Sequence, residues 1–217
     1  VCKDTIYFRI SRRRICRLRT ELYNQKEEVI RLSTTFARNY LNPAMKRVFL
    51  IGFMGAGKTT VGVCLSKRMG LSFVDLDHYI ESRYLKSVQQ LFAEKGEEGF
   101  RMIEQKMLHE VALFEDVLIS TGGGAPCFYD NMEFMNSHGT TVYLKVSVNE
   151  LANRLEVCKG ARPLLKDKSK EELRSYINET LQKRKNNYEQ ANVVFEAEAM
   201  GNDTDVIEIA KALEKIL

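Results

Sequence analysis

The residues best suited to chemistry lie at positions 52–59, where GFMGAGKT matches the pattern G-x-x-x-x-G-K-[ST]. An apolar run at 48–51 precedes this pattern, and a helix-like segment follows it. The glycines let the backbone turn tightly and direct successive N–H groups into a concavity for anionic oxygens. The start of the following helix adds unsatisfied donors and the positive end of its dipole. The sequence therefore predicts a nucleotide phosphate loop in which Lys58 reaches the β and γ phosphates and Thr59 offers its hydroxyl to Mg²⁺.

Two carboxylates, Asp75 and Asp77, follow a second strand-like segment at 71–74. Ligands bind beyond the carboxyl ends of strands in open α/β sheets, and residues two apart in a strand face the same side. We therefore expect both carboxylates in one cleft. The strand-like segment 117–120 lacks a Walker-B acidic residue, which makes Asp75 the candidate for supporting Mg²⁺. The alternative for Asp77 is a helix N-cap, worth about 1 kcal/mol.

An arginine and a glutamate, Arg101 and Glu104, stand three residues apart in a segment of helical pattern at 88–114. The pattern is broken near 96 and 99 by glycines. Residues at i and i+3 of a helix can form an ion pair. The alternative is an exposed surface pair, usually worth less than about 1 kcal/mol.

Three consecutive glycines, Gly122, Gly123 and Gly124, follow the apolar segment 117–120. Glycines directly after a buried strand indicate that another group approaches the backbone closely. A second irregular stretch, KGARPLLKDKSK at 159–170, is polar with one apolar pair. Its composition is typical of a mobile lid over phosphates, and Arg162 would be the charge that it brings.

Helical patterns alternate with short apolar segments along most of the chain. The segments with strand character are 48–51, 71–74, 117–120, 141–146 and 193–195. Such alternation predicts an α/β fold with helices on both faces of a parallel sheet. At 217 residues with 44% hydrophobic content, one domain of ordinary size is expected.

The cysteines and the hydropathy exclude several classes of protein. The five cysteines are scattered and odd in number, and no two form a C-x-x-C pair. This spacing favours reduced thiols in a cytoplasmic protein over a disulfide framework or a zinc site. No apolar stretch approaches the roughly 18 residues of a membrane span, so we expect no membrane association.

Residues 1–44 differ from the rest of the chain in charge. They hold 10 Lys and Arg against 4 Asp and Glu, whereas the remaining 173 residues hold 23 against 25. An arm that binds nucleic acid or a membrane surface and an organellar transit peptide are both open interpretations, although three glutamates fit the latter badly. A secretory signal is disfavoured because no apolar region follows the charges. The simplest interpretation is that Met45 is the natural start.

Taken in order, the motifs from Met45 onward resemble the shikimate kinase family. The resemblance rests on GFMGAGKTT, FVDLDHYIE, GEEGFRMIE, STGGGA, ARPLL and KRKNNYEQA, and it covers about four-fifths of the chain. It implies a three-layer α/β/α fold of the P-loop kinase type with a five-stranded parallel sheet. It also implies transfer of the γ-phosphoryl of ATP to the 3-hydroxyl of shikimate, in aromatic amino-acid biosynthesis. Residues 1–44 have no counterpart in the family and are expected to lie outside the kinase domain, 45–217.

The resemblance also implies roles for residues on the ATP side. Thr59 would ligate Mg²⁺, with Asp75 supporting the metal. Arg162 would be the lid arginine that reaches the phosphates. Arg154 resembles the residue that lies against adenine, although the match to EAEAMGND at 196–203 is poor. The loop residues that would hold ATP are Gly55, Ala56, Gly57, Lys58, Thr59 and Thr60.

On the acceptor side, the resemblance makes Asp77 the residue that binds the shikimate hydroxyls and accepts the proton of the attacking one. Arg101 and Arg184 would clamp the substrate carboxylate, with Glu104 orienting Arg101. The backbone of the three glycines at 122–124 would line the shikimate pocket. Planar guanidinium forks suit a carboxylate better than an ammonium does, although a monophosphate acceptor would also attract arginines.

Other functions remain open from the sequence alone. A gluconate or nucleotide kinase shares the phosphate loop and the lid, but neither is expected to carry GEEGFR and the triple glycine together. A catalytically silent ligand-sensing module would suit the basic tail, but no helix-turn-helix pattern is present and no catalytic position is lost. We expect a monomeric kinase that uses Mg²⁺ and ATP, with no nucleic acid partner.

Overall fold

The computed structural model describes residues 46–157, 168–198 and 202–217. The described strands are β1 (Arg47–Ile51), β2 (Ser72–Asp75), β3 (Val117–Ser120), β4 (Thr140–Lys145) and β5 (Val193–Glu196). The described α-helices are α1 (Lys58–Met69), α2 (Leu76–Tyr84), α3 (Val88–Val111), α4 (Asn131–His138), α5 (Val148–Val157), α6 (Lys170–Tyr188) and α7 (Asp203–Glu214). A short 3₁₀ helix spans Ala125–Cys127.

The five strands form one parallel sheet in the order β2-β3-β1-β4-β5. The predicted parallel α/β sheet is thus confirmed, with β1 at its centre. Leu50 of β1 pairs with Ser120 of β3, and Ser120 pairs with Asp75 of β2. Because the carboxyl ends of these strands are in register, the segments that follow them begin at the same edge of the sheet. This edge carries the predicted phosphate loop, Asp77 and the three consecutive glycines.

A hydrophobic core covers each face of the sheet. Alternate residues of β1 enter opposite cores, with Val48 and Leu50 on one side and Phe49 and Ile51 on the other. The first core also takes buried residues of α1, α5, α6 and α7, and the second takes residues of α2, α3 and α4. A strand buried on both faces is a continuous apolar run, as the sequence of β1 is. The predicted α/β/α layering is therefore confirmed.

The boundary between β2 and α2 differs from the predicted one. The strand β2 ends at Asp75 and helix α2 begins at Leu76, so Asp77 lies in the first turn of a helix. A 3₁₀ helix that contains Pro126 precedes helix α4, which begins at Asn131.

Helix α3 contains a backbone break. Gly96 has φ 68° and ψ −178°, whereas Gly99 is within the helix. Of the two glycines predicted to interrupt this segment, Gly96 alone does so. No helix within the described ranges is long and apolar enough to cross a membrane. The basic segment 1–44, most of the predicted lid at 159–170 and Arg162 lie outside the described residues.

Candidate active site

The predicted phosphate loop connects β1 to α1. Gly55 and Gly57 have φ values of 81° and 88°, which glycine adopts without steric penalty. The N–H of Ala56 donates to the carbonyl of Phe53 at 3.1 Å and closes the turn. No side chain caps the start of α1. Its first backbone donors are therefore available to an anion, as the sequence predicts.

Lys58 and Thr59 have defined partners in this loop. The Lys58 ammonium donates to the carbonyls of Gly52 and Phe53 at 2.9 and 3.1 Å. The Thr59 hydroxyl donates to Oδ2 of Asp75 at 2.7 Å. The structure thus places the two predicted magnesium-supporting oxygens next to each other.

Asp75 and Asp77 reach the same cleft by a different route from the one predicted. Asp75 caps α2, because its Oδ1 accepts the N–H groups of Asp77 at 3.2 Å and His78 at 3.4 Å. The expectation that the two carboxylates share one face of a strand is wrong, and so is the alternative that Asp77 is the cap. Burial raises the pKa of Asp77, Asp75 raises it further, and Lys58 opposes the shift.

Arg101 and Glu104 form a buried pair, so the interpretation as an exposed surface pair is wrong. The Glu104 side chain is 1% exposed and that of Arg101 is 11% exposed, with Nη1 to Oε2 at 2.9 Å. The Arg101 guanidinium also lies 4.2 Å from the centre of the Phe128 ring. Burial raises the pKa of Glu104 to about 7 despite the opposing charge of Arg101.

The three consecutive glycines Gly122, Gly123 and Gly124, called the glycine loop below, pass close to these side chains. A Cβ on Gly122 would lie 2.5 Å from Oε1 of Glu104 and 3.1 Å from Oδ1 of Asp77. A Cβ on Gly124 would lie 2.7 Å from Nη1 of Arg101. Both distances to the buried pair are shorter than real contacts of a Cβ, so the expectation that other groups approach this backbone closely is confirmed.

The last turns of α6 join the glycine loop from the other side. Nη1 of Arg184 donates to the carbonyl of Gly123 at 2.8 Å, and the hydroxyl of Tyr188 donates to the same oxygen at 2.5 Å. The side-chain amide of Asn187 donates to the carbonyl of Pro126 at 3.2 Å. Sequence reasoning identified Arg184 but missed Tyr188, since a tyrosine in a helical pattern gives no signal of its partner.

Arg154 bridges the phosphate loop and the segment after β5. It donates to the carbonyl of Gly55 at 3.4 Å, and to those of Ala197 and Glu198 at 3.1 and 2.7 Å. It also pairs with Glu150 at 2.7 Å. The guanidinium thus lies beside the phosphate loop, and its predicted position against adenine stays a prediction.

A cavity of about 420 Å³ opens at this edge of the sheet. It brings together the phosphate loop, both aspartates, Gly123 and Arg154, while the Ala56 side chain is buried elsewhere at 1% exposure. Arg101 and Arg184 do not line the cavity. They contact the glycine loop, and Gly123 of that loop lines the cavity. Its lining residues are Met54, Gly55, Gly57, Lys58, Thr59, Thr60, Asp75, Asp77, Ser120, Thr121, Gly123, Arg154 and Leu155.

Two lining residues, Ser120 and Thr121, were missed by the sequence reasoning. Their place at the carboxyl end of β3 is the signal that could have identified them. No cluster of three or more His, Cys, Asp or Glu side chains that could hold a metal occurs among the described residues. The oxygens that the sequence predicts for a metal are those of Thr59 and Asp75, which are 2.7 Å apart.

Comparisons with known proteins agree with this geometry. The profile of the family described as shikimate kinase matches residues 54–214. A shikimate kinase of Parabacteroides distasonis is 68% identical over 173 residues, which cover 80% of this chain and 100% of the relative. One from Phocaeicola vulgatus is 54% identical, covering 80% of this chain and 99% of the relative.

Solved structures give the same result. The crystal structure of shikimate kinase from Bacteroides thetaiotaomicron has a TM-score of 0.78 and 49% identity, covering 80% of this chain and 98% of that one. A shikimate kinase from Acinetobacter baumannii, in complex with shikimate, has a TM-score of 0.70 and 32% identity, covering 80% and 93%. By its sequence and its fold, this chain belongs to the shikimate kinase family.

Proposed function

We propose that the cleft described above carries out the reaction of the family, with the ATP on the phosphate loop and the shikimate on the glycine loop. Shikimate kinases transfer the γ-phosphoryl of ATP to the 3-hydroxyl of shikimate. The observation that supports this arrangement is the position of the glycine loop. Gly123 lines the cavity beside the phosphate loop, its carbonyl accepts from Arg184, and its neighbour Gly124 adjoins Arg101.

On the donor side, the loop from Gly55 to Thr60 holds the phosphates through backbone N–H groups and the open start of α1. Lys58 exchanges its bonds to two loop carbonyls for the β and γ phosphates. Arg154 is assigned to the nucleotide from its place at the lip of the loop. Arg162, in ARPLL, is assigned to the phosphates on the family resemblance. Their charges neutralise the transferred group during the reaction.

Thr59 and Asp75 would hold Mg²⁺ in this scheme. Their oxygens are 2.7 Å apart, and both are the hard ligands that Mg²⁺ prefers. Two protein oxygens suffice because this ion keeps several waters and takes phosphate oxygens from the substrate. When bound, the ion neutralises charge on the phosphates.

On the acceptor side, Arg101 and Arg184 bind the shikimate carboxylate and Asp77 binds its hydroxyls. The 3-hydroxyl oxygen forms the new bond to the γ-phosphorus while the bond from that phosphorus to the β,γ-bridging oxygen breaks, which releases ADP. Asp77 accepts the hydroxyl proton. A raised pKa suits this role, since a general base works best with a pKa near the operating pH.

The competing functions fit less well. A gluconate or nucleotide kinase would not require the buried Arg101–Glu104 pair to lie against the glycine loop. A silent sensing module would not require Lys58, Thr59 and Asp77 to line one cavity. The test is turnover of shikimate with ATP, beside gluconate and nucleoside monophosphates at equal concentration. We expect turnover of shikimate alone, and preferred turnover of another acceptor would overturn the proposal.

We further propose that residues 45–217 form the kinase domain and that the protein acts as a cytoplasmic monomer. The support for the domain is that the family profile matches residues 54–214 and that every residue assigned above lies beyond Met45. The scattered cysteines favour the cytoplasm. Light scattering coupled to size-exclusion chromatography measures the mass in solution. A dimer that loses activity on dilution would contradict the monomer.

A further inference from the structure

We propose that Tyr188 is a positioning residue for the acceptor, whose hydroxyl sets the place of Arg184 relative to the phosphate loop. The inference rests on the proposed contact between Arg184 and the shikimate carboxylate. Tyr188 has no role in the assignments made above for ATP and shikimate.

The hydroxyl of Tyr188 and the guanidinium of Arg184 share one acceptor. Both donate to the carbonyl of Gly123, at 2.5 and 2.8 Å, and the two donors are 3.4 Å apart. They lie four residues apart on α6, so they face the glycine loop from adjacent turns of the helix. The Gly123 carbonyl therefore fixes the position of the Arg184 guanidinium by one hydrogen bond. The Tyr188 hydroxyl fixes the same carbonyl by another.

The same carbonyl group belongs to a residue that abuts the phosphate loop. A Cβ on Gly123 would lie 3.3 Å from the carbonyl oxygen of Gly52, which itself accepts from the Lys58 ammonium at 2.9 Å. Gly123, whose carbonyl Tyr188 holds, thus lies next to the phosphate loop. A shift of Gly123 would change the distance between the carboxylate clamp and the phosphates, on which an in-line transfer depends.

Tyr188 is suited to a fixed hydrogen bond. Its side chain is fully buried, and burial raises its pKa, so the hydroxyl stays protonated and remains a donor. Its ring packs against Tyr143 with 4.9 Å between centroids. Because a phenylalanine keeps this packing, Tyr188→Phe removes only the hydrogen bonds of the hydroxyl, which donates to the Gly123 carbonyl and accepts from Nη1 of Arg184.

The first test compares Tyr188→Phe with Tyr143→Phe. Without the hydroxyl, Gly123 and Arg184 lose a shared restraint, so the KM for shikimate should rise about three- to tenfold, the range of one net hydrogen bond. The KM for ATP should stay within twofold. Tyr143→Phe is the matched control. The Tyr143 ring packs against the Tyr188 ring, but Tyr143 forms no hydrogen bond to the described part of the glycine loop. Equal changes in the two variants would overturn the inference.

The second test places Tyr188→Phe in an Arg184→Lys background, because a purely structural hydroxyl would act equally in both. If Tyr188 acts through the guanidinium, its loss should change the KM for shikimate less than twofold once Arg184 is lysine. The same three- to tenfold rise in both backgrounds would show a structural role and overturn the inference. If Arg184→Lys raises the KM but Tyr188→Phe does not, only the inference fails. If Arg184→Lys itself leaves the KM unchanged, the proposed clamp fails as well.

Discussion

The Arg101 guanidinium lies among aromatic side chains. The rings of Phe92, Phe100 and Phe128 lie within 5.5 Å of its guanidinium carbon, and Glu104 is its buried partner. Its Nε has no hydrogen-bond partner among the described residues. A substrate carboxylate would meet a weakly hydrated guanidinium, for which binding requires little further loss of water.

The clamp and the base can be separated by substitution. Arg101→Lys keeps the charge but loses the planar fork, so shikimate affinity should fall by roughly 1–3 kcal/mol with ATP affinity unchanged. Asp77→Asn keeps the shape but removes the proton acceptor, so the loss should lie mainly in kcat. Shikimate titration and turnover on both variants measure the difference. Loss of ATP affinity in Arg101→Lys would contradict a carboxylate clamp.

Glu104 should make stability depend on pH in an unusual direction. Its folded pKa of about 7 lies above its ordinary value of 4.5, so the folded state holds this proton more tightly than the unfolded state does. Between about pH 4.5 and 7 the unfolded chain therefore loses the proton first, and the contribution of Glu104 to stability falls as pH rises. Above about pH 7 the loss is complete and constant.

The measurement is urea unfolding of the wild type and of Glu104→Gln from pH 4.5 to 8. The glutamine can still accept from Arg101 but does not titrate. The free energy of unfolding of the variant minus that of the wild type should increase from pH 4.5 to 7 and then level off. A difference that stays flat or decreases over this range would mean that Arg101 keeps Glu104 ionised.

For single residues, the sequence predicted which residues belong to the site better than it predicted their burial and their partners. Lys58 and Thr59 were identified because a local sequence pattern specifies their positions. Glu104 was ambiguous, because the i, i+3 spacing is identical for an exposed pair and a buried one. Tyr188 was missed because its partner, Gly123, is 65 residues away in sequence.

Among the elements, the boundary between β2 and α2 determines how Asp75 and Asp77 are positioned. Alternation along a strand predicted that Asp75 and Asp77 would share a cleft, and they do. The cause is different, because Asp75 ends the strand and caps α2, while Asp77 occupies its first turn. Single residues at such a junction satisfy both strand and helix patterns, so periodicity alone could not locate it.

The break in α3 gives a prediction at the scale of the element. Gly96 adopts φ 68° and ψ −178°, a region that is nearly exclusive to glycine, and no atom lies within 4 Å of a Cβ placed there. Gly96→Ala should therefore lower the free energy of unfolding through backbone strain alone, by about 1–3 kcal/mol. Thermal or urea unfolding measures the loss.

Gly70→Ala is the matched control for this prediction. Gly70 also has a positive φ and open space around its Cβ, but its ψ of 25° lies in the left-handed helical region. The expected loss there is smaller, about 1 kcal/mol. If Gly70→Ala destabilises the protein more than Gly96→Ala, the strain assigned to the break in α3 is wrong.

For the whole molecule, the order of the strands explains why distant motifs meet. The segments after β1, β2 and β3 begin at one edge of the sheet, since Leu50, Ser120 and Asp75 are in register. They carry the phosphate loop, the aspartates and the glycine loop respectively. Alternation of strands and helices predicted this sheet, but the contacts of α6 with the glycine loop depend on tertiary packing.

The last prediction concerns the basic segment 1–44. Both hydrophobic cores and all the motifs lie beyond it, so a protein that begins at Met45 should fold and keep its kcat and its KM for both substrates within twofold. The measurements are thermal unfolding and steady-state kinetics on the full chain and the truncated chain. A truncated chain that fails to fold, or that loses activity at equal stability, would make residues 1–44 part of the kinase domain. Duplex DNA binding that weakens with salt and is confined to the full chain would instead assign the segment its own role as a phosphate-binding arm, because ten Lys and Arg residues release counterions on contact.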